Sequence, residues 1–343
     1  MTTGYVFDDI FKKHDYPGHP ECADRLTAIM GYLEQHALLP QLSQIQARPA
    51  TIPELVRCHT ANYVKMVEQV SERGGGMLDP DTYANEYSYQ AALKAAGGLI
   101  DLTSAVVDGT LDNGFAFVRP PGHHAVLQGS MGFCLFGTVA IAAQVARHDK
   151  GLERVAIVDF DVHHGNGTQN ILETDPHIMF ASSHQYPFYP GTGNYNEIGQ
   201  GKAHGTKINL PLEVNTDDEG IKRLYSDIVF PMLRRFQPQL ILVSAGYDAH
   251  WRDPLANIGL SLTGYQWLSQ QLFELAGELC EGKIVFALEG GYNLPVLAAG
   301  VGNSVRILLG DDKHYDDPFG LSPRPKPDVD QLVRVLKRTH DLD

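Results

Sequence analysis

Residues 155–167 read VAIVDFDVHHGNG, and the fold follows from how this stretch is read. Residues 155–158 are apolar and mostly β-branched, too short for a helix and without polar alternation, as in a strand covered on both faces. At the carboxyl end of the run the composition switches to Asp159, Asp161, His163 and His164, with glycines close behind. The same order recurs along the chain. Residues 115–118 (FAFV) precede Arg119-Pro-Pro-Gly-His123-His124, 178–181 (IMFA) precede Ser182, Ser183 and His184, 240–243 (LILV) precede SAGY and Asp248, and 284–288 (IVFAL) precede Glu289-Gly-Gly-Tyr292. Residues 207–210 (KINL) form a sixth candidate strand. Between them, Leu268, Leu272, Leu275 and Leu279 share one helical face within 264–280, and 136–148 and 219–236 read similarly. Strands alternating with helices predict an α/β fold: one mainly parallel sheet with helices on both faces and the site at the C-terminal strand ends.

No linker divides the chain, so residues 1–343 are expected to form a single catalytic domain. The Pro-rich 322–327 (SPRPKP) and the amphipathic 328–338 predict that about 311–343 is a surface tail with a short docking helix. Residues 71–86 (SERGGGMLDPDTYANE), with three glycines and a proline, are expected to form a long loop. Twenty-seven Lys+Arg against 41 Asp+Glu give a formal charge of −14, which argues against direct nucleic-acid binding. No apolar run reaches membrane-spanning length, and the first residues lack the apolar core of a signal peptide. The four cysteines are scattered, with no CxxC pair. A reducing cytoplasm is therefore the expected location.

Asp161 and His163 are the strongest local metal signal. In extended chain, residues i and i+2 point the same way, so a carboxylate and an imidazole converge on one ion. Asp248 would add a third ligand from another strand end, and an O/N/O set with an open position suits a catalytic divalent cation. His123 and His124 follow a stiff Pro-Pro-Gly turn and would divide labour, one as general base and acid, the other stabilising charge. Tyr292, on a Gly-Gly turn, could donate to an oxyanion.

The motifs RPPGHHA (119–125), GFC (132–134), VDFDVHHGNGTQ (158–169), YPGTG (189–193), SAGYDAH (244–250) and LEGGYN (288–293) resemble, in order, those of the histone deacetylase family within the arginase/deacetylase superfamily. The wording of HHGNGTQ and SAGYDAH is closer to the class II and bacterial deacetylase-like branch than to class I. The resemblance spans roughly residues 15–310. It implies a metal-dependent amidohydrolase that removes acetyl or other acyl groups from lysine ε-amines of a protein or peptide. Asp161, His163 and Asp248 would bind Zn²⁺, with Fe²⁺ also compatible. His124 would be general base and acid, His123 its electrostatic partner oriented by Asp159, and Tyr292 the carbonyl-polarising group. A structural K⁺ site would use Asp159, Asp161, His163, Ser182 and Ser183. Gly132, Phe133 and Tyr189 would wall the acyl-lysine tunnel, with Leu255 and Asp81 at its rim.

Several positions depart from the pattern. Tyr189 stands where many relatives have Phe, and Asn166 where class I enzymes have Asp behind the base. Leu255 is not the acidic gatekeeper of polyamine deacetylases. Tyr292 is present where a weakly active vertebrate branch has His. The alternatives are a deacetylase of acetylated polyamines or other small amines, a binuclear Mn amidinohydrolase, and a catalytically silent acyl-lysine binder.

Overall fold

A computed structural model describes residues 1–311, 313 and 315–342. Among the described residues there are ten strands: β1 (Thr3–Val6), β2 (Ser43–Ile45), β3 (Gly75–Asp79), β4 (Thr82–Asn85), β5 (Asn113–Ala116), β6 (Val155–Asp159), β7 (Ile178–Gln185), β8 (Lys207–Leu212), β9 (Ile241–Ala245) and β10 (Ile284–Leu288). Eight of them form one sheet in the order β2-β1-β5-β10-β9-β6-β7-β8, with every neighbouring pair parallel. Helices cover it, and the buried apolar cluster runs from Tyr5 to Leu336. All six predicted strands lie in this parallel sheet.

The helices at 264–280, 219–236 and 136–148 are also present, as Leu262–Cys280, a stack of Asp218–Leu224, a π turn at Tyr225–Val229 and Phe230–Phe236, and Thr138–His148. In the C-terminal segment, helix Asp330–Thr339 buries Val333 and Leu336. Arg235 donates to the His340 carbonyl at 2.6 Å and ties its end down.

The expectation for residues 71–86 is corrected. Helix Ala61–Glu72 enters this stretch, and β3 and β4 then pair antiparallel as a hairpin, Gly75 opposite Asn85. The glycines lower strand propensity, yet the pairing needs them: a Cβ on Gly75 would sit 2.3 Å from the Ala84 carbonyl oxygen.

The N-terminal segment is locked to the sheet by a buried ionic cluster. Glu21 accepts from Arg119 Nη2 at 2.7 Å and Arg25 Nη1 at 2.9 Å, all three side chains being fully enclosed. Burial alone would raise the Glu21 pKa. The Arg119 and Arg25 guanidinium groups outweigh it and hold the carboxyl down at about 2. Glu21→Gln leaves two buried cations short of a counter-charge and is expected to cost about 3–5 kcal/mol in urea unfolding at neutral pH. Because the folded pKa is depressed from 4.5 to about 2, this stabilisation is complete above the unfolded value and fades as pH falls between them. A gap under about 1 kcal/mol at neutral pH would mean that the arginines find other acceptors.

Candidate active site

The carboxyl ends of β5, β10, β9 and β6 adjoin at the centre of the sheet, where Asp159 pairs in register with Ser244 and Ser182. The residues after each strand therefore converge. Asp161, His163 and Asp248 bring one ligand atom each within 4.8 Å of the others. His163 Nδ1 is 3.2 Å from Asp161 Oδ1 and 3.3 Å from Asp248 Oδ2. Backbone amides fix the carboxylates: His163 N and Gly290 N donate to the two oxygens of Asp161 at 2.9 and 2.8 Å, and Val162 N donates to Asp248 Oδ1 at 3.0 Å.

These donors fit a divalent cation on two counts. Asp248 Oδ2 is buried and faces only His163 Nδ1, at 3.3 Å and without a well-formed hydrogen bond, an expensive state for a carboxylate oxygen unless further positive charge is supplied. The ligand set also holds two acids against one imidazole. Burial acts to neutralise His163, but the Asp161 and Asp248 carboxylates beside its ring lift its pKa to about 10.

The cradle is closed by glycine. A Cβ on Gly290 would lie 2.1 Å from Asp248 Oδ2 and 2.6 Å from Asp161 Oδ2, and one on Gly246 would lie 2.0 Å from Asp161 Oδ2. Gly290→Ala is therefore expected to push the carboxylates off their positions and weaken metal retention by about 10–100-fold. Metal content after dialysis, read beside an unchanged circular dichroism spectrum, checks this. Full retention would show that the turn yields without disturbing the ligands.

Beside the ligands stand His123 and His124, ring centroids 4.0 Å apart. His123 Nδ1 meets Asp159 Oδ2 at 3.0 Å, and His124 Nδ1 meets Asn166 Oδ1 at 2.7 Å. Burial would depress both. At His123 the carboxylates of Asp161, Asp159 and Glu289 prevail and hold the pKa well above the ordinary value. At His124 burial is reinforced by His123 and His163, and the pKa falls well below it. A charged and a neutral imidazole thus sit side by side, the arrangement that assigns acid and base roles. An amide oxygen at His124 Nδ1 places the proton there and leaves Nε2 to accept.

A cavity of about 210 Å³ opens above this floor. Gly132, Phe133, Tyr189, Leu255 and Asp81 all line it, together with His124, His163 and Tyr292. The hairpin places Asp81 there, its Oδ1 accepting from Gly132 N at 3.0 Å and Thr82 Oγ1 at 2.8 Å. Tyr292 packs edge-on against Phe133, centroids 5.9 Å apart, with the Arg25 guanidinium 5.2 Å from its ring centre. Burial, then the Asp248 charge, raise the Tyr292 phenol well above its ordinary pKa, so the hydroxyl stays protonated and available as a donor. Ser182 and Ser183 lie buried on β7, their hydroxyls engaged by His184 Nδ1 at 2.9 Å and Tyr225 Oη at 2.8 Å.

Other residues of the site were not anticipated. Phe188 stacks on His163, centroids 5.7 Å apart, and lines the cavity; one aromatic beside Tyr189 carries no signal of its own. Glu289 Oε2 accepts from Gly122 N at 2.7 Å and His123 N at 3.2 Å, clamping the His-His turn. Its place at a strand end was visible, its partner was not. Arg25 donates to the Gly291 carbonyl at 2.8 Å, supporting the Tyr292 turn.

Fold and site together define a hydrolase with polar machinery at the floor of a tunnel, and comparison with known proteins agrees. The histone deacetylase domain family matches residues 19–308. Histone deacetylase 14, chloroplastic, of Arabidopsis thaliana is 42% identical over 349 residues, covering 96% of this chain and 82% of that protein. A probable deacetylase of Archaeoglobus fulgidus is 38% identical over 297 residues, covering 86% of this chain and 82% of its own. The crystal structure of the HDA15 HD domain superposes with a TM-score of 0.89 at 36% identity, covering 98% of this chain and 96% of that one. The chain belongs to the histone deacetylase family of hydrolases. Among the described residues, no helix is long and apolar enough to cross a membrane.

Proposed function

We propose that this protein removes acetyl or other acyl groups from the ε-amine of lysine in proteins or peptides, using a divalent cation, Zn²⁺ or Fe²⁺, held by Asp161, His163 and Asp248. The observation that carries the reading is the convergence of Asp161, His163 and the enclosed Asp248 on one point at the floor of an aromatic-walled cavity. When bound, such an ion contributes Lewis acidity and a water made acidic enough to ionise near neutral pH.

The chain's own groups do the rest. Phe133 and Tyr189 pack along the alkyl stem and exclude water. His124 Nε2 accepts the proton of the attacking water and returns it to the departing amine nitrogen. His123, kept cationic by Asp161 and Asp159, stabilises negative charge as it develops, and the Tyr292 hydroxyl donates to the carbonyl oxygen. Potassium held by Asp159, Asp161, His163, Ser182 and Ser183, partly through backbone oxygens, would stiffen the strand ends below the ligands. The −14 formal charge favours encounter with lysine-rich peptides.

A fluorogenic acetyl-lysine peptide assay with and without chelator, read beside metal content, tests this. Chelator-sensitive deacetylation with one ion per chain is expected. Two manganese ions per chain would favour the amidinohydrolase alternative, and binding of acyl-lysine without turnover would favour a silent binder. Neutral Leu255 at the cavity gives a polyamine no dedicated counter-charge at that position, which supports peptide over polyamine.

A further inference from the structure

The turn that carries Tyr292 cannot be stiffened by its own residues. Gly290 leaves no room for a side chain beside Asp248 and Asp161, and Gly291 has φ +120°, which residues with a side chain rarely adopt. Two glycines in a row leave the following residue free to swing. An oxyanion donor, by contrast, has to be held in place before the charge develops. The rigidity must therefore come from groups outside the turn. Arg25 takes the carbonyls of Glu289 and Gly291. The amides that follow go to a single side chain: Tyr292 N and Asn293 N donate to Asp253 Oδ2 at 2.8 and 3.3 Å.

Asp253 is buried in the segment that follows Asp248. Its amide donates to the His250 carbonyl at 2.8 Å, and its other carboxylate oxygen accepts from Leu255 N at 2.9 Å. Asn293 Nδ2 adds a bond to the Arg252 carbonyl at 3.0 Å, fastening the two loops together. Three main-chain amides thus converge on one carboxylate, which joins the tunnel at Leu255 to the Tyr292 turn. We infer that Asp253 is a positioning residue for the reaction: by clamping the Tyr292 and Asn293 amides it holds the Tyr292 hydroxyl where the substrate carbonyl oxygen becomes negative. The inference rests on the deacetylase reading above. Asp253 does not line the cavity, so it acts through Tyr292 and not on the substrate. Removing the clamp leaves the hydroxyl present but loosely aimed, and a misplacement of about 1 Å is enough to cost up to about 10²-fold in rate.

A double-mutant cycle on an acetyl-lysine peptide tests this. Asp253→Asn keeps the size of the side chain, but its single oxygen serves either Leu255 or the Tyr292 turn and sets an NH₂ against the other. On its own it should lower kcat by about 10–100-fold, with KM within about threefold of wild type and metal content unchanged. In the Tyr292→Phe background, where the hydroxyl is already gone, the same substitution should cost less than about threefold further. A loss by the same factor in both backgrounds overturns the inference, because a general disturbance of the site would act with or without the hydroxyl. It is also overturned if Asp253→Asn keeps kcat within about threefold of wild type, raises KM alone, or loses the metal. Asp253→Ser, whose hydroxyl is a smaller acceptor, runs the same cycle should Asp253→Asn not fold. Failure of both to fold would make Asp253 a support of the fold and likewise overturn the inference. If the wild type with its metal cleaves no acyl-lysine peptide, the deacetylase reading fails and takes this inference with it, whereas multiplying losses in an active enzyme remove the inference alone.

Discussion

Asp248→Asn is expected to lower deacetylation by at least about 10³-fold and to leave the purified protein without bound metal. The amide is the same size as the carboxylate and its oxygen can still accept from Val162 N, the existing 3.0 Å bond, so the turn after β9 should keep its shape. What disappears is the negative charge on the oxygen that faces His163 Nδ1 at 3.3 Å. Without it the site holds one carboxylate and one imidazole, too weak a set to retain a divalent ion against dialysis. The magnitude follows from what an ion provides: a bound water with a pKa near about 7 instead of about 15.7. Wild-type protein treated with chelator should match the variant, and only the wild type should recover when metal is returned. Elemental analysis and the fluorogenic assay, run on the same samples, check both halves. A variant that holds one ion per chain and retains activity within about tenfold would remove Asp248 from the ligand set.

Tyr292→Phe should lower kcat by about 10²–10³-fold with little change in KM, as when one oxyanion donor is lost. The ring's surroundings support so selective an effect. Phe133 meets the ring edge-to-face, Arg25 lies over it, and Tyr292 N donates to Asp253 Oδ2 at 2.8 Å. None of these contacts involves the hydroxyl, so Phe should occupy the same place. Metal content is expected to stay at the wild-type level. Joint loss of metal and activity would make Tyr292 a structural residue, and activity within about threefold of wild type would mean that the oxyanion is held by other groups.

Much of the site was legible because its chemistry is tied to strand ends. A run such as VAIV announces a buried strand, and the polar residues just beyond it must emerge at one edge of a parallel sheet. That reasoning placed Asp159, Asp161, His163, Asp248, His123, His124 and Tyr292 around one point, where the structure has them. It missed β1 and β2. TGYV is short and contains Gly4, and SQI is a brief polar edge strand, so neither displays a buried-strand pattern. It also missed helix Ser88–Val107, whose many alanines and glycines pack on nearly every side and leave little amphipathic contrast. The hairpin of β3 and β4 stayed hidden behind three consecutive glycines. The cluster of Glu21 and Arg119 joins residues separated by 98 positions, and no local pattern announces such a pair.

The amino-acid sequence by itself settles those features that depend on a few bonds of chain. Asp161 and His163 face one way because extended backbone repeats every second residue, and the His-His turn is stiffened by the prolines before it. Tertiary structure decides what depends on strand order. Asp248 reaches its partners because β9 lies between β10 and β6, an arrangement set by packing of the whole sheet. The same packing stands the Tyr189 ring edge-on to His124 and His163, a tertiary contact that residue order does not express.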